Sequence, residues 1–166
     1  MAVPEDFTEW LVGQRSVLLR SATLLTGDRG LAEDLLQEAA IKVAARWERL
    51  RDQHPTAYAR RIVYRDYLNW RRRRPETPLE LVHAAVEPTD APDHERRSVL
   101  LSALADLPRG QRAVVVLRYF DDLSEQQTAD ALGVSLGTVK SQAHAGLARL
   151  RALPELHDLV GKEMPR

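Results

Sequence analysis

Apolar residues recur every three or four positions along most of this 166-residue chain, and this spacing constrains its fold more than any other feature. Such spacing places apolar side chains on one face of an α-helix. No stretch alternates apolar and polar residues for long enough to predict a β-strand. The helical pattern is interrupted by a strip from Pro75 to Pro92 that contains four prolines, and proline disfavours helix at its own position and the one before. The chain is therefore predicted to be all-α.

The proline-rich strip divides the chain into two small helical domains, residues 1–74 and 93–166, joined by a flexible linker over residues 75–92. Three helices are predicted before the linker, over residues 7–26, 29–50 and 55–73. Four are predicted after it, over residues 93–105, 108–121, 125–132 and 135–153. Gly27 is suited to end the first helix in a left-handed conformation, and Asp28 is suited to cap the second.

Charge is segregated along the chain, although the net charge is zero. Residues 1–75 hold 14 Lys and Arg against 10 Asp and Glu, and residues 96–166 hold 10 against 8. Residues 76–95 hold six acidic residues and no Lys or Arg. Because phosphate attraction acts over a Debye length of about 8 Å, two basic blocks can still bind nucleic acid.

Composition excludes several functional classes. The absence of cysteine excludes disulfides, thiolate zinc sites and a cysteine nucleophile. The apolar runs are far shorter than the ~20 residues that span a bilayer, and the first nine residues lack an apolar signal core. We therefore expect a cytoplasmic protein.

Residues 124–152 have the pattern of a helix-turn-helix: a short helix capped by Ser124, a glycine turn, and a second helix capped by Ser135. Ala129 is small where the two helices would cross, and Gly133 permits the positive φ of a tight turn. The apolar residues predicted to set the crossing angle are Leu132, Val134, Val139 and Leu147. The polar residues left outward, where they can contact phosphates and base edges, are Thr138, Lys140, Ser141 and His144. The alternative is a helical hairpin with a solvated polar face.

Arginines dominate the end of the third predicted helix, with four in succession at residues 71–74 and others at Arg60, Arg61 and Arg65. These arginines either interact favourably with the negative end of the helix dipole or contact nucleic acid. Aromatic residues lie among them, and they either stack on unpaired bases or belong to the core. These aromatic residues are Tyr58, Tyr64, Tyr67 and Trp70.

An acidic and polar patch is predicted on the second helix, where Asp34, Gln37 and Glu38 share one face. It is either a solvated surface or a protein-docking site. No histidine, serine or further carboxylate converges on it in sequence, and the five histidines show no metal-ligand spacing. We therefore predict no catalytic residue, no metal site, no cofactor and no small-molecule substrate.

These three features, in this order, resemble the extracytoplasmic-function sigma factors of bacterial RNA polymerase, and specifically an actinobacterial group similar to SigE. The resemblance covers about residues 5–152. It rests on segments such as Ala32-Glu33-Asp34-Leu35-Leu36-Gln37-Glu38, Trp70-Arg71-Arg72-Arg73 and Gly137-Thr138-Val139-Lys140-Ser141-Gln142. It implies a transcription initiation factor built from sigma region 2, a linker and sigma region 4.

The resemblance also implies roles for individual residues. Asp34, Gln37 and Glu38 match the segment that docks on the β′ clamp helices of core RNA polymerase, and the second domain is expected to meet the β flap. The loop at residues 51–55 and the following helix match the part that melts and reads the −10 promoter element, through Arg60, Arg61, Arg65, Asn69, Arg72 and Arg73. Residues 135–148 match the recognition helix for the −35 element, which adds Ser135 and Gly137 to the candidate contacts.

Two positions depart from the pattern of the family. Many members have asparagine where this chain has Arg65, and arginine is common where it has Ala145. An anti-sigma factor is a frequent partner in the group. The alternative function is a stand-alone helix-turn-helix regulator that binds duplex DNA without polymerase, but such a protein needs a ligand pocket or dimer face in its first half. An enzyme is the least favoured class.

Overall fold

The structure is a computed structural model that describes residues 4–73 and 92–156, with side chains over 4–70 and 95–156. No described residue lies in a β-strand, and the predicted all-α fold is confirmed. The helices are α1 (Glu5–Thr26), α2 (Arg29–Ala44), α3 (Trp47–Leu50), α4 (Pro55–Arg73), α5 (Pro92–Ala105), α6 (Arg109–Val115), α7 (Glu125–Leu132) and α8 (Leu136–Arg151). The predicted linker lies outside the described residues, except that α5 begins at Pro92.

The first half packs α2 against α1 and α4. Gly27, with φ of 68°, ends α1 in the predicted left-handed conformation. The side chain of Asp28 accepts a hydrogen bond from the Leu31 N–H at 2.8 Å and starts α2. The apolar face of α2 is buried through Ala32, Leu35, Leu36, Ala39 and Val43. Both predicted helix ends are therefore confirmed.

The second predicted helix does not run to residue 50. It ends at Ala44, and a one-turn helix, α3, begins at Trp47. The indole of Trp47 is buried and meets the Phe7 ring edge-on at a centroid distance of 5.3 Å. The Trp10 ring lies 5.4 Å, centroid to centroid, from the Trp47 ring. The turn between α2 and α3 thus accompanies a buried aromatic cluster, which local periodicity does not reveal.

The second half contains the other four α-helices. The predicted helix over residues 108–121 is α-helical only to Val115 and continues as a π-helical turn, Val116–Phe120. The Asp121 N–H donates to the Val116 carbonyl at 3.1 Å, which closes this wider turn. As a result, Asp121 is turned towards the first half of the chain, where its side chain is buried.

The two halves lie against each other and share one apolar core. Leu25, Ala32 and Val63 from the first half belong to the same buried cluster as Leu104 and Val115 from the second. Arg112, itself buried, donates through Nη1 to the Leu25 carbonyl at 2.9 Å. The packing places α4 beside α6 and α7. The predicted −10 helix, α4, is therefore a neighbour of the first helix of the predicted helix-turn-helix, α7.

Candidate nucleic-acid and protein interfaces

The predicted docking patch lies on the exposed face of α2. Asp34, Gln37 and Glu38 are all exposed, opposite the side that packs on α1 and α4. None of the three forms an ion pair with another described residue. Ile41 follows one turn later on the same face and is 57% exposed. The patch therefore combines two free carboxylates, an amide and an apolar side chain.

Sequence reasoning missed Ile41 as part of this patch. The available signal was its position, three residues after Glu38 and seven after Asp34, which puts it on the same helical face. Exposed apolar side chains within polar surfaces are common in the centres of protein interfaces. The arrangement suits a protein partner more than a solvated surface.

Three predicted −10 contacts form one exposed row along α4. Arg61, Arg65 and Asn69 are spaced by four residues and are exposed, so they lie on one face. Arg60 lies on a neighbouring face and is half-buried, and its Nε is buried without a hydrogen-bond partner among the described residues. The helix reaches Arg73, but the side chains of Arg72 and Arg73 lie outside the described set.

Two of the aromatic residues predicted beside these arginines are not available for base stacking. Tyr64 and Tyr67 are completely buried, because α4 turns this side towards the core. Tyr58 is half-buried, and its hydroxyl accepts a hydrogen bond from Arg46. The exposed side of α4 therefore presents the row of Arg61, Arg65 and Asn69, and not these two tyrosines.

The loop before α4 has an unusual backbone. His54 has φ of 53°, and α4 starts at the next residue, Pro55, as its preference for the first helical turn predicts. In the same loop, Arg51 lies 3.6 Å from both Asp6 and Glu48. These carboxylates partly neutralise the one arginine in the predicted melting loop.

The second half contains the predicted helix-turn-helix. Ser124 and Gln127 form a reciprocal capping box at the start of α7, and Gly133, with φ of 68°, ends it. Ser135 caps α8 by accepting from the Thr138 N–H at 3.1 Å. Val139 is buried in a small cluster with Val114 and Ala129. The capping residues and glycine turn match the sequence prediction.

The exposed side of α8 carries the residues predicted to contact DNA. Thr138 is half-buried, and the others are exposed, namely Ser135, Gly137, Lys140, Ser141 and His144. Lys140 Nζ lies 3.7 Å from a carboxylate oxygen of Glu125 on α7. This solvent-exposed pair, unforeseen from sequence, links α8 to the start of α7.

One apolar residue of the turn is placed differently from the prediction. Val134 was expected in the wedge between α7 and α8, but it is 38% exposed, as is Leu136. Val134 follows Gly133, whose positive φ turns the chain before α8 begins, and its side chain stays exposed instead of entering the wedge.

The described residues contain no group of three or more His, Cys, Asp or Glu that could hold a metal ion. Within the same residues, no helix is long and apolar enough to cross a membrane.

Two family models match the chain in the order expected from the geometry. "Sigma-70 region 2" matches residues 11–76, which include the docking patch and α4. "Sigma-70, region 4" matches residues 97–150, which include the helix-turn-helix.

Characterised relatives match almost the whole chain. The RNA polymerase sigma-E factor of Streptomyces avermitilis is 38% identical over 164 residues, covering 97% of this chain and 92% of the relative. The ECF RNA polymerase sigma factor SigL of Mycobacterium tuberculosis is 32% identical over 154 residues, covering 82% and 81% respectively.

A solved structure has the same fold. It is the sigma factor RpoE from Bartonella quintana, in complex with the anti-sigma factor NepR. The TM-score is 0.66 at 21% identity, with 90% of this chain and 96% of that chain covered. Together with the helix-turn-helix and the exposed face of α2, these matches lead to one conclusion: the chain belongs to the sigma-70 family of RNA polymerase sigma factors, in its extracytoplasmic-function group, and directs promoter-specific transcription initiation.

Proposed function

We propose a division of labour within this sigma factor. Residues 1–74 act as region 2, which docks on the core and opens the −10 element, and residues 93–166 act as region 4, which reads the −35 element. The observation that carries this proposal is the free, exposed patch on α2, present in the same chain as a complete helix-turn-helix. A stand-alone regulator has no use for such a patch.

Docking takes place through Asp34, Gln37, Glu38 and Ile41 on the β′ clamp helices. The carboxylates attract basic partner residues, and burial of Ile41 contributes apolar contact area. Removing water from these exposed carboxylates on binding costs free energy, and complementary charges on the partner offset that cost and accelerate encounter. Region 4 rests on the β flap.

On α4, the row of Arg61, Arg65 and Asn69 faces the −10 element. Guanidinium groups bind phosphates in a bidentate manner and read base edges, whereas the asparagine amide both donates and accepts. Arg60, Arg72 and Arg73 extend the basic surface. Since Arg65 replaces the asparagine common in the family, we expect a −10 preference that differs at the base it meets.

On α8, Ser135, Gly137 and Thr138 lie at the helix start. The Thr138 N–H is occupied by Ser135, and the other backbone N–H groups of this first turn face DNA phosphates. Lys140 meets a phosphate, and Ser141 and His144 face the groove. The protein acts without a catalytic step or cofactor and works in the cytoplasm, where core polymerase and promoter DNA are found. An anti-sigma factor is a further partner, by analogy with the bound state of the Bartonella relative.

The docking assignment is tested by reversing two charges. In Asp34→Lys/Glu38→Lys, we expect loss of core binding and of transcription from promoters that the parent uses, with unchanged melting, since exposed substitutions change stability by about 0.5 kcal/mol. Measurement uses purified core polymerase, in vitro transcription and thermal melting by circular dichroism.

The matched control is Glu5→Lys/Glu9→Lys on α1. These exposed glutamates have the same spacing of four residues and the same total charge change, so non-specific electrostatic effects would appear equally in both variants. Core binding by the Asp34→Lys/Glu38→Lys protein equal to that of the control would overturn the docking assignment. Promoter-specific binding by the parent without core polymerase would favour a stand-alone regulator.

A further inference from the structure

We propose that Leu136 reads the −35 element through apolar contact with the 5-methyl group of a thymine. This inference rests on the proposed function of α8 as the −35 recognition helix, and it names the base chemistry that the start of this helix recognises. It adds an apolar reader to a set of candidate contacts that otherwise consists of polar residues and a glycine.

Exposed apolar surface in the second half is concentrated at the turn before α8. Among the described residues of this half, the large apolar side chains that are exposed are Val134 and Leu136, each at 38%. They lie on either side of Ser135, the N-cap of α8. By contrast, Val139 on the inner face of α8 is completely buried. Packing within the described residues therefore leaves a substantial part of the Leu136 side chain facing outward.

Leu136 belongs to the face of α8 that is assigned to DNA. It is the first residue of the helix, and Lys140 and His144 follow it at intervals of four residues. All three are exposed, so they form one row along the helix. In a helix-turn-helix, the residues at the start of the second helix reach base edges in the major groove. The leucine is thus at the end of the row where base contacts are made.

The hydroxyl groups beside Leu136 are engaged in capping the helix. Ser135 Oγ and Thr138 Oγ1 bond to each other at 2.9 Å, and Ser135 Oγ also accepts a hydrogen bond from the Thr138 N–H. These two side chains consequently have less hydrogen-bonding capacity left for a base. The first turn of α8 therefore offers a base edge mainly the apolar side chain of Leu136.

Gly137 leaves room beside Leu136 that the fold does not require. A Cβ added at Gly137 would meet only Ser135 Oγ, at an ordinary contact distance of 3.8 Å, and the glycine does not have a positive φ. Alanine would fit this position and favour the helix. The bare backbone instead allows close approach of a ligand, here the edge of the base that Leu136 contacts.

Thymine is the base that suits an apolar side chain in the major groove. Thymine presents a methyl group there, at C5, whereas the other features of the base pairs are hydrogen-bond donors and acceptors. A leucine placed against those groups would leave them without partners, which costs free energy. Against the methyl group, it removes two apolar surfaces from water, which is favourable. Leu136 therefore selects an A·T pair at the position that it contacts.

The test removes the methyl group from the DNA. The full-length chain and core polymerase first select a promoter from a library randomised over the −35 element. Each thymine of that element, on either strand, is then replaced in turn by deoxyuridine, which lacks only the 5-methyl group. In vitro transcription is measured at limiting holoenzyme, so that differences in promoter affinity appear in the yield.

We expect one deoxyuridine position to lower transcription by the parent about fourfold, the effect of losing contact with one group of methyl size. Leu136→Ala should transcribe the thymine template about fourfold less than the parent and should not respond to deoxyuridine at that position. Leu136→Met, which keeps an apolar side chain of similar volume, should retain the response. The matched control is Val134→Ala, which truncates the equally exposed neighbour and should respond as the parent does.

Several results would overturn the role of Leu136: a selected −35 element without an A·T pair, a parent indifferent to deoxyuridine at every position, or loss of the response in Val134→Ala but not in Leu136→Ala. A fall by the same factor on both templates in Leu136→Ala would assign the leucine to a protein surface instead. Because the deoxyuridine series is measured on the parent, it tests the contact even if Leu136→Ala melts at a lower temperature.

Failure of the proposed function gives a different result. If scrambling the whole −35 element leaves transcription by the parent unchanged, α8 does not read this element. If transcription depends on the −35 element but not on any of its thymine methyl groups, only the role of Leu136 is overturned.

Discussion

At Gly146, the absence of one methyl group allows α8 to lie against α6. A Cβ at this position would lie 2.8 Å from Cγ2 of Val115, which is completely buried and β-branched. In an exposed helix, replacing glycine by alanine stabilises by about 0.5–1 kcal/mol. Here the steric overlap outweighs that gain, since overpacking a filled core costs about 1–3 kcal/mol.

Gly146→Ala is therefore expected to lower the free energy of unfolding by about 1 kcal/mol or more, measured by urea denaturation followed by circular dichroism. The matched control is Gly13→Ala, in α1, where an added Cβ meets nothing within 4 Å. The control should be neutral or more stable than the parent. Equal effects in the two variants would contradict the close approach of α8 and α6.

We expect Ile41 to contribute to binding and not to folding. It is 57% exposed on the docking face, so Ile41→Ala should change stability by less than about 0.5 kcal/mol. Core binding should weaken roughly fivefold or more, since interface anchors contribute about 1 kcal/mol or more. Val12→Ala, at a site on α1 that is 72% exposed, is the control and should bind as the parent does. Equal binding by both variants would remove Ile41 from the patch.

At the scale of single elements, the helix-turn-helix depends on its ends. Ser124 and Ser135 satisfy N–H groups at the starts of α7 and α8, and Gly133 turns the chain between them. The orientation of α8 then follows from the burial of Val139 against Val114 and Ala129. Residues one position apart on this helix consequently have opposite roles, with Val139 inside and Lys140 outside.

Lys140→Ala tests the exposed side of α8. Its ion pair with Glu125 is largely solvent-exposed, so loss of the pair should change stability by no more than ~1 kcal/mol. If Lys140 binds a phosphate, transcription from all −35 variants should fall by a similar factor. The measurement is in vitro transcription from a panel of −35 sequences.

The control for that experiment is Arg149→Ala, which removes one exposed positive charge near the other end of α8. It should have a smaller effect on all promoters. A changed ranking of −35 sequences in Lys140→Ala would assign the lysine to a base edge, and unchanged transcription would place it away from DNA.

For the whole molecule, the net charge bears on whether the free chain binds promoter DNA. The chain has a net charge of zero, so it lacks the bulk attraction that concentrates basic proteins on DNA. We expect no footprint of the free protein on promoter duplex at ~0.15 M salt, where phosphate contacts are already weakened. The complex with core polymerase should protect both elements under identical conditions. A sequence-specific footprint by the free chain would contradict this expectation.

Local sequence signals identified most of the helical architecture. Gly27, Asp28, Ser124, Gly133 and Ser135 mark helix ends where they were predicted, because capping depends on residues within one turn of each other. The exposed face of α2 also followed from periodicity alone. The early end of α2 did not, since it accompanies the packing of Trp47 on Phe7, which lies 40 residues earlier in the chain.

What the sequence by itself determined, then, was most of the helices, their caps, and the polar faces of α2 and α8, because each depends on contacts between residues a few positions apart. Only the tertiary structure decided which aromatic residues of α4 are buried, how Val134 faces outward, and that Asp121 meets Ser21 and Tyr64. Those contacts join residues up to 100 positions apart. Such pairings depend on how the helices pack, and helix periodicity shows which face is apolar without showing which partner covers it.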